Sequence, residues 1–282
     1  MPTKQTKEDV LIEALPYIQT YEGKTFIIKY GGAAMRDERL KVSFAQDVTI
    51  LRKIGINIII VHGGGKDITD LAGALNIPTR FVDGQRYTDE KMVDVVLMTL
   101  AGKLNKEIVN LINTNGGNAV GLCGIDNGLL KARKITEKDL GLVGDVSVVN
   151  TNFLNLLLGN GMMPVIAPLA VGEDNKILNI NADLAAGAIA TALKAEKLVY
   201  LSDIEGVLVD KQLVSTLTNT EAESLIERGA IHSGMIPKVR SAFATLDAGV
   251  KKVHIIDGRI KHSLLLEIFT DEGIGTQMIH PS

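Results

Sequence analysis

The sequence holds a single cysteine, Cys123, so no internal disulfide can form, and the lone thiol suits a reducing compartment. Tryptophan is missing, and Phe, Trp and Tyr together make up 4% of the chain. Rings are too few for the stacking platforms that hold single-stranded nucleic acid. The net charge is −3, too weak and too mixed to provide a footprint for nucleic acid or a membrane surface. A dense apolar run such as residues 56–61 is far too short to cross a bilayer. The N-terminus carries Lys4, Lys7, Glu8 and Asp9 where a signal peptide would have an apolar core. His232, His254, His262 and His280 show no metal-ligand spacing, which with one cysteine argues against a structural zinc site.

Apolar residues, by contrast, are plentiful: 46% of 282, enough to fill one large α/β domain or two small ones. Residues 26–29 read as a buried strand that stops at Lys29-Tyr30-Gly31-Gly32. A helix over residues 43–53 and a second buried strand over 57–61 follow. That strand ends at His62-Gly63-Gly64-Gly65-Lys66, and a helix begins over 67–74. The strand–glycine–helix unit thus occurs twice, and strands alternating with helices predict a parallel or mostly parallel sheet. Before it, residues 7–21 have helical spacing, with Pro16 expected to kink or interrupt the helix. Beyond it, Thr88 is the expected cap of one long helix over 92–113. A strand over 119–123, two hairpins within 124–145, a helix over 151–159 and a strand over 163–168 come next. Residues 177–180 approach a helix over 183–194. Strands over 198–201 and 252–256 are interleaved with helices over 220–228, 235–248 and 264–269. No repeat or low-complexity tract appears, and a soft boundary falls near residues 194–197.

Two nucleotide motifs are excluded. Gly23-Lys24-Thr25 mimics the end of a P-loop, but Ile18 stands where its upstream glycine belongs, and the trio precedes its strand. Gly116-Gly117-Asn118-Ala119-Val120-Gly121 has the wrong spacing for a dinucleotide fingerprint. The glycine turns after residues 29 and 62 bring bare backbone N–H groups together with the Lys29 ammonium, which suits a phosphate. They equally suit a plain tight strand–helix turn. Lys238 stands just inside a helix start, where the helix dipole disfavours a cation unless an anion sits beside it. Asp183 follows Asn179-Ile180-Asn181-Ala182; it suits either a helix cap or a carboxylate that holds lysines in place. Arg86 is either a surface residue or a bidentate grip on a carboxylate.

Lys29-Tyr30-Gly31-Gly32-Ala33-Ala34-Met35, His62-Gly63-Gly64-Gly65, Asp83-Gly84-Gln85-Arg86, Leu100-Ala101-Gly102-Lys103-Leu104-Asn105, Asn179-Ile180-Asn181-Ala182-Asp183, Gly234-Met235-Ile236-Pro237-Lys238 and His254-Ile255-Ile256-Asp257-Gly258-Arg259 occur in this order. Together they resemble the acetylglutamate kinases of the amino-acid kinase family, and the N-terminal helix is most similar to the cyanobacterial and plastid branch. The resemblance implies an α/β fold, a three-layer αβα open sandwich with a mostly parallel central sheet. It implies ATP-dependent phosphorylation of the γ-carboxylate of N-acetyl-L-glutamate, with Mg²⁺ carried by the nucleotide. It divides the chain into an interaction helix (residues 1–22), a substrate-binding and dimerisation lobe (23–194) and an ATP-binding lobe (195–282).

By the same resemblance Lys29 and Lys238 stabilise the transferring phosphoryl group, and Asp183 orients both. Gly64 and Gly65, with Arg86 and Asn179, bind the acyl amino acid. Gly31, Gly32, Ser202, Asp203, Gly206, Val207, Gly234 and Met235 bind ATP. His254, Glu267 and Gly273 match an arginine effector site that the N-terminal helix completes. The implied partners are further copies of the chain (a dimer, and a hexamer built as a trimer of dimers), L-arginine as inhibitor, and the PII signal protein. The implied location is a bacterial cytoplasm or a plastid stroma. His62 is expected to be structural, because an ionised carboxylate nucleophile needs no general base. The rival readings are another kinase of the same fold, acting on aspartate, glutamate, carbamate or a nucleoside monophosphate, and a non-catalytic regulatory member.

Overall fold

The computed structural model describes residues 7–231, 235–270 and 273–280. Its centre is an eight-stranded sheet. In chain order the strands are β1 (Thr25–Tyr30), β2 (Asn57–His62), β3 (Ala119–Cys123), β4 (Met163–Ala167), β5 (Lys197–Ser202), β6 (Thr216–Leu217), β7 (Lys252–Asp257) and β8 (Thr276–Met278). They lie side by side as β6-β8-β7-β5-β1-β2-β4-β3, and every pairing is parallel except β7 with β8. The central strands are apolar almost throughout, as strands covered on both faces must be.

Ten α-helices accompany the sheet among the described residues: α1 (Lys7–Tyr21), α2 (Glu38–Lys53), α3 (Gly65–Ala74), α4 (Glu90–Leu97), α5 (Asn105–Thr114), α6 (Thr151–Gly159), α7 (Ala182–Ala192), α8 (Asn219–Glu227), α9 (Met235–Asp247) and α10 (Ser263–Phe269). They cover the two faces, and the period of two along β1 shows the division. Phe26, Ile28 and Tyr30 pack with Phe44 and Val48 of α2 and Leu264 of α10. Ile27 packs on the other face with Ala186 and Ile189 of α7 and Val239 of α9. Lys29 shares the parity of Ile27, so it points toward α7 and α9. A second, four-stranded sheet (Leu130–Lys134, Gly144–Val149, Leu169–Gly172 and Ile177–Asn179) stands beside the first.

Several expectations needed correction. The helix expected from residue 43 starts at Glu38, because Asp37 caps it with bonds from Arg39 and Leu40 N–H. Asp89, not Thr88, caps α4: its carboxylate accepts from Met92 N–H. The long helix expected over 92–113 is broken by a π-helical stretch, Met98–Leu104. Pro16 sits inside α1 without ending it. Residues 124–145 contribute to one hairpin rather than two, because β3 belongs to the main sheet and Leu130–Lys134 to the second.

The π stretch turns Asn105 inward, where it is fully buried. Asn105 Nδ2 lies 2.8 Å from Val165 O and 3.3 Å from His62 Nε2. His62 Nδ1 donates to Gly63 O at 2.9 Å, so Nε2 is the accepting nitrogen. Burial holds this imidazole neutral, its pKa lowered to about 4. The unfolded chain therefore takes up a proton near pH 6.5 that the folded chain refuses until about pH 4. Stability present above pH 6.5 is lost as the pH falls through that window, by about 3 kcal/mol from this group. Urea denaturation at pH 7 and pH 4.5 is expected to show the loss, and His62→Asn to flatten the slope between them.

Candidate active site

The site forms where β1 and β2 end side by side, with Tyr30 in register with His62. Crevices at the carboxyl ends of parallel strands are the usual ligand sites of such sheets. Gly31 and Gly32 leave β1, and Gly63 to Gly65 lead from β2 into α3. At two of these positions a side chain would crowd its neighbours. Gly32 has φ +70°, and a Cβ there would lie 2.2 Å from Asp203 Oδ1. A Cβ on Gly64 would lie 2.4 Å from Leu104 Cδ1 and 2.6 Å from Leu100 Cδ2, so the π stretch packs directly on the turn. Between the turns and the second sheet is a cavity of about 310 Å³. The predicted residues Lys29, Gly31, Gly32, Gly64 and Gly65 line it from the turns, and Arg86, Asn179 and Asp183 from the opposite walls.

Asp183 joins the two lysines. Its Oδ1 is 3.1 Å from Lys29 Nζ and its Oδ2 is 2.7 Å from Lys238 Nζ. It is free to do so because Asn181, two residues earlier, caps α7 by accepting from the Asp183 and Leu184 N–H groups. Burial pushes the Asp183 carboxyl up, but the two ammonium groups outweigh burial and hold it below the usual carboxylate range. One carboxylate against two ammonium groups leaves this cluster net positive; Lys29 and Asp183 line the cavity, and Lys238 does not.

Arg86 is buried against the opening of α3. Its Nη2 donates to Gly65 O at 2.7 Å and Thr69 Oγ1 at 2.9 Å, and its guanidinium lies 4.8 Å from the centre of the Phe81 ring. Its Nη1 is buried with no partner. Burial lowers the Arg86 pKa. Leaving a buried guanidinium N–H group without an acceptor costs stability. Asn179, at the end of the second sheet, donates to Thr88 Oγ1 at 3.1 Å.

The other predicted site residues lie elsewhere. Ser202 ends β5 and accepts Gly258 N–H through its carbonyl. Asp203 accepts Ala33 N–H, closing over the first glycine turn. Gly206 packs on Thr276, and Val207 is buried with its N–H given to Thr276 Oγ1 at 2.8 Å. Met235 opens α9, and Gly234 lies outside the described residues. None of Ser202, Asp203, Gly206, Val207 and Met235 lines the cavity. Sequence reasoning missed Thr69 and Phe81 as neighbours of the Arg86 guanidinium, since no local pattern marks them, and read Thr88 only as a cap, although its hydroxyl donates to Arg86 O and accepts from Asn179.

A second cavity, of about 470 Å³, gathers His254, Glu267 and Gly273 with Tyr17 and Tyr21 of α1 and with Lys197. His254 Nδ1 pairs with Glu267 Oε1, and Ile274 and Gly275 N–H groups donate to Glu267 Oε2. Burial pushes the Glu267 carboxyl up, but bonds from His254 and Ile274 and the charge of Lys197 outweigh it and lower its pKa. Burial lowers the His254 pKa and takes Lys197 down to about 8. Among the described residues no group of three or more His, Cys, Asp or Glu side chains is placed to hold a metal ion. No described helix is long and apolar enough to cross a membrane.

A mostly parallel sheet covered on both faces, with glycine turns at the strand ends and a strand lysine and a helix lysine paired through one carboxylate, fits a phosphotransferase class of α/β enzyme. The chain belongs to the amino acid kinase family, whose profile matches residues 24–257. It is 58% identical to the acetylglutamate kinase of Chlorobium phaeobacteroides, covering 96% of this chain and 89% of that one. It is 52% identical to the acetylglutamate kinase of Aquifex aeolicus, over 96% and 97%. Among solved structures it is similar to N-acetylglutamate synthase from Neisseria gonorrhoeae complexed with coenzyme A and N-acetyl-glutamate, at 29% identity and TM-score 0.88. That match covers 99% of this chain and 64% of the synthase. The same synthase complexed with coenzyme A and L-arginine matches at 27% identity and TM-score 0.84, over 99% and 66%.

The close approach of Asp203 to Gly32 yields a stability test. Gly32→Ala is expected to cost about 1–3 kcal/mol, through overpacking and a disfavoured φ. Chemical denaturation reads the loss; Gly65→Ala, where a Cβ meets nothing within 4 Å, is the control and should cost less.

Proposed function

We propose that this protein transfers the γ-phosphoryl group of ATP to the γ-carboxylate of N-acetyl-L-glutamate, giving N-acetyl-L-glutamyl 5-phosphate and ADP, the second step of arginine biosynthesis. The observation that carries the reading is the pairing of Asp183 with both Lys29 and Lys238 beside a cavity that Lys29, Asp183 and Arg86 line. The names of the relatives support the substrate.

The residues suit the reaction. A carboxylate oxygen forms a bond to the γ-phosphorus as the bond from phosphorus to the bridging oxygen breaks, and ADP leaves with that electron pair. Two unit charges at 4 Å repel by about 4 kcal/mol at an effective dielectric near 20. Lys29, Lys238 and the N–H groups of Gly31, Gly32, Gly64 and Gly65 offset that repulsion and stabilise charge on the transferring group. Mg²⁺, when bound, rides on the nucleotide phosphates and neutralises part of their charge. Arg86 and Asn179 hold the α-carboxylate of the substrate in residues 23–194. Residues 195–282 hold the nucleotide, with Ser202, Asp203, Gly206, Val207, Gly234 and Met235 along its path. The nucleophile is already ionised near neutral pH, so the buried, neutral His62 has no proton to take.

The second cavity supports feedback inhibition by L-arginine through His254, Glu267 and Gly273. Tyr17 and Tyr21 line that cavity from α1, which supports coupling between this helix and the effector. The proposal extends to a hexamer in which residues 1–22 link dimers. The relatives reported above are bacterial, which supports a bacterial cytoplasm over a plastid. Membership of the cyanobacterial and plastid branch, and the PII partner that goes with it, rest on the N-terminal helix and the overall style of the sequence.

Incubation with ATP and a panel of acids, read by ADP release, is expected to give turnover with N-acetylglutamate. Turnover with aspartate, glutamate or carbamate alone would move the protein to a rival kinase class. Lys238→Ala should lower kcat roughly 10²–10³-fold. Arg86→Ala should raise the KM for N-acetylglutamate roughly 10–100-fold, as expected for hydrogen bonds to a charged group. Removal of residues 1–22 is expected to leave dimers in light scattering and to weaken arginine inhibition.

A further inference from the structure

Lys238 occupies the first turns of α9, where the helix dipole disfavours a cation, and it shares the Asp183 carboxylate with Lys29. A second feature supports it. The Lys238 ammonium lies 5.1 Å from the centre of the Tyr200 ring, within the range at which an aromatic face attracts a cation. Tyr200 is fully buried in β5 and stands in register with Lys29 on β1. The two side chains therefore emerge side by side on the face that α7 and α9 cover.

The phenol end of the same ring reaches both of those helices. Its hydroxyl donates to Asp183 O at 3.5 Å, a long bond, and interacts with Ser241 and Thr245 of α9. Gly187 of α7 keeps this junction open: a Cβ there would lie 3.0 Å from Thr245 Oγ1 and 3.8 Å from the Tyr200 hydroxyl. Burial pushes the phenol far above its ordinary range, so Tyr200 stays neutral and offers Lys238 an aromatic face rather than a negative charge.

We propose that Tyr200 is a positioning residue for phosphoryl transfer, whose aromatic face fixes the Lys238 ammonium between Asp183 and the transferring group. The proposal rests on the reading of Lys238 as a phosphoryl-stabilising residue. It separates the ring face from the bulk of the side chain. A residue that merely fills the core depends on shape; a cation-holding face depends on the electron density of the ring.

The test varies density at constant shape. Tyr200→Phe keeps the face and is expected to retain kcat within threefold. Replacing Tyr200 with 3,4,5-trifluorophenylalanine keeps the size of the ring but withdraws its density. It is expected to lower kcat roughly 5–30-fold relative to Phe, with both KM values within twofold and an unchanged melting temperature. In protein carrying ¹³C-lysine, the ε-methylene protons of Lys238 should show an upfield ring-current shift, which Tyr200→Leu removes. Equal kcat for the phenylalanine and trifluorophenylalanine variants would overturn the proposal. So would an unshifted Lys238 resonance in the unaltered protein. Failure of the substrate reading shows separately, as no turnover of N-acetylglutamate by the unaltered protein.

Discussion

One carboxylate organises this structure. Asp183 holds two ammonium groups that repel each other, Lys29 from the central strand and Lys238 from α9, 55 residues after Asp183 itself. Without it, Lys29 and Lys238 would face each other across a part-buried cleft with no counter-charge, which protein interiors do not tolerate. The carboxylate is available because Asn181 takes over the capping of α7. The same three-residue stretch thus satisfies the helix backbone and supplies the ion pair. Small side chains in α7, notably Ala185, Ala186 and Gly187, let α9 come close enough for Lys238 to reach.

The glycine turns answer the complementary requirement. Cations attract an anion, but a phosphate held at close range also needs backbone N–H groups free of side-chain obstruction. Parallel pairing of β1 and β2 sets the two turns next to each other, and the π stretch closes the space behind Gly64 with Leu100 and Leu104. Asn105 and His62 fasten that stretch to the sheet. His62 is buried and neutral, and its two ring nitrogens are occupied by Gly63 O and Asn105. It therefore shapes the turn instead of taking part in proton transfer.

The two cavities differ in character. The first lies at the strand ends between the glycine turns and the second sheet, and Lys29, Arg86, Asn179 and Asp183 line it. The second is closed by α1 and built on the His254–Glu267 pair, with Lys197 held between aromatic rings at 4.6 Å from Tyr21 and 5.7 Å from Phe26. A ligand in that cavity would touch α1, α10 and the sheet at once.

Much of this was legible in the residues. Continuous apolar runs such as Ile58 to Val61 announce buried parallel strands, because local hydropathy is all that such strands require. Glycine pairs after strands announce turns, because positive φ is a property of the residue itself. The motif residues Lys29, Asp183, Lys238 and Arg86 were likewise visible as candidates. What the sequence left open was their company. Asp37 and Asp89 as caps, the π stretch in an otherwise regular helix, and the single hairpin depend on competition with tertiary contacts. The pairing of Asp183 with both lysines, the empty Nη1 of Arg86 and the ring of Tyr200 under Lys238 were decided by the crossing of α7 and α9 over the sheet. Local pattern determines which elements form and which chemistry is at hand; only packing sets the few ångströms at which charges and hydrogen bonds act.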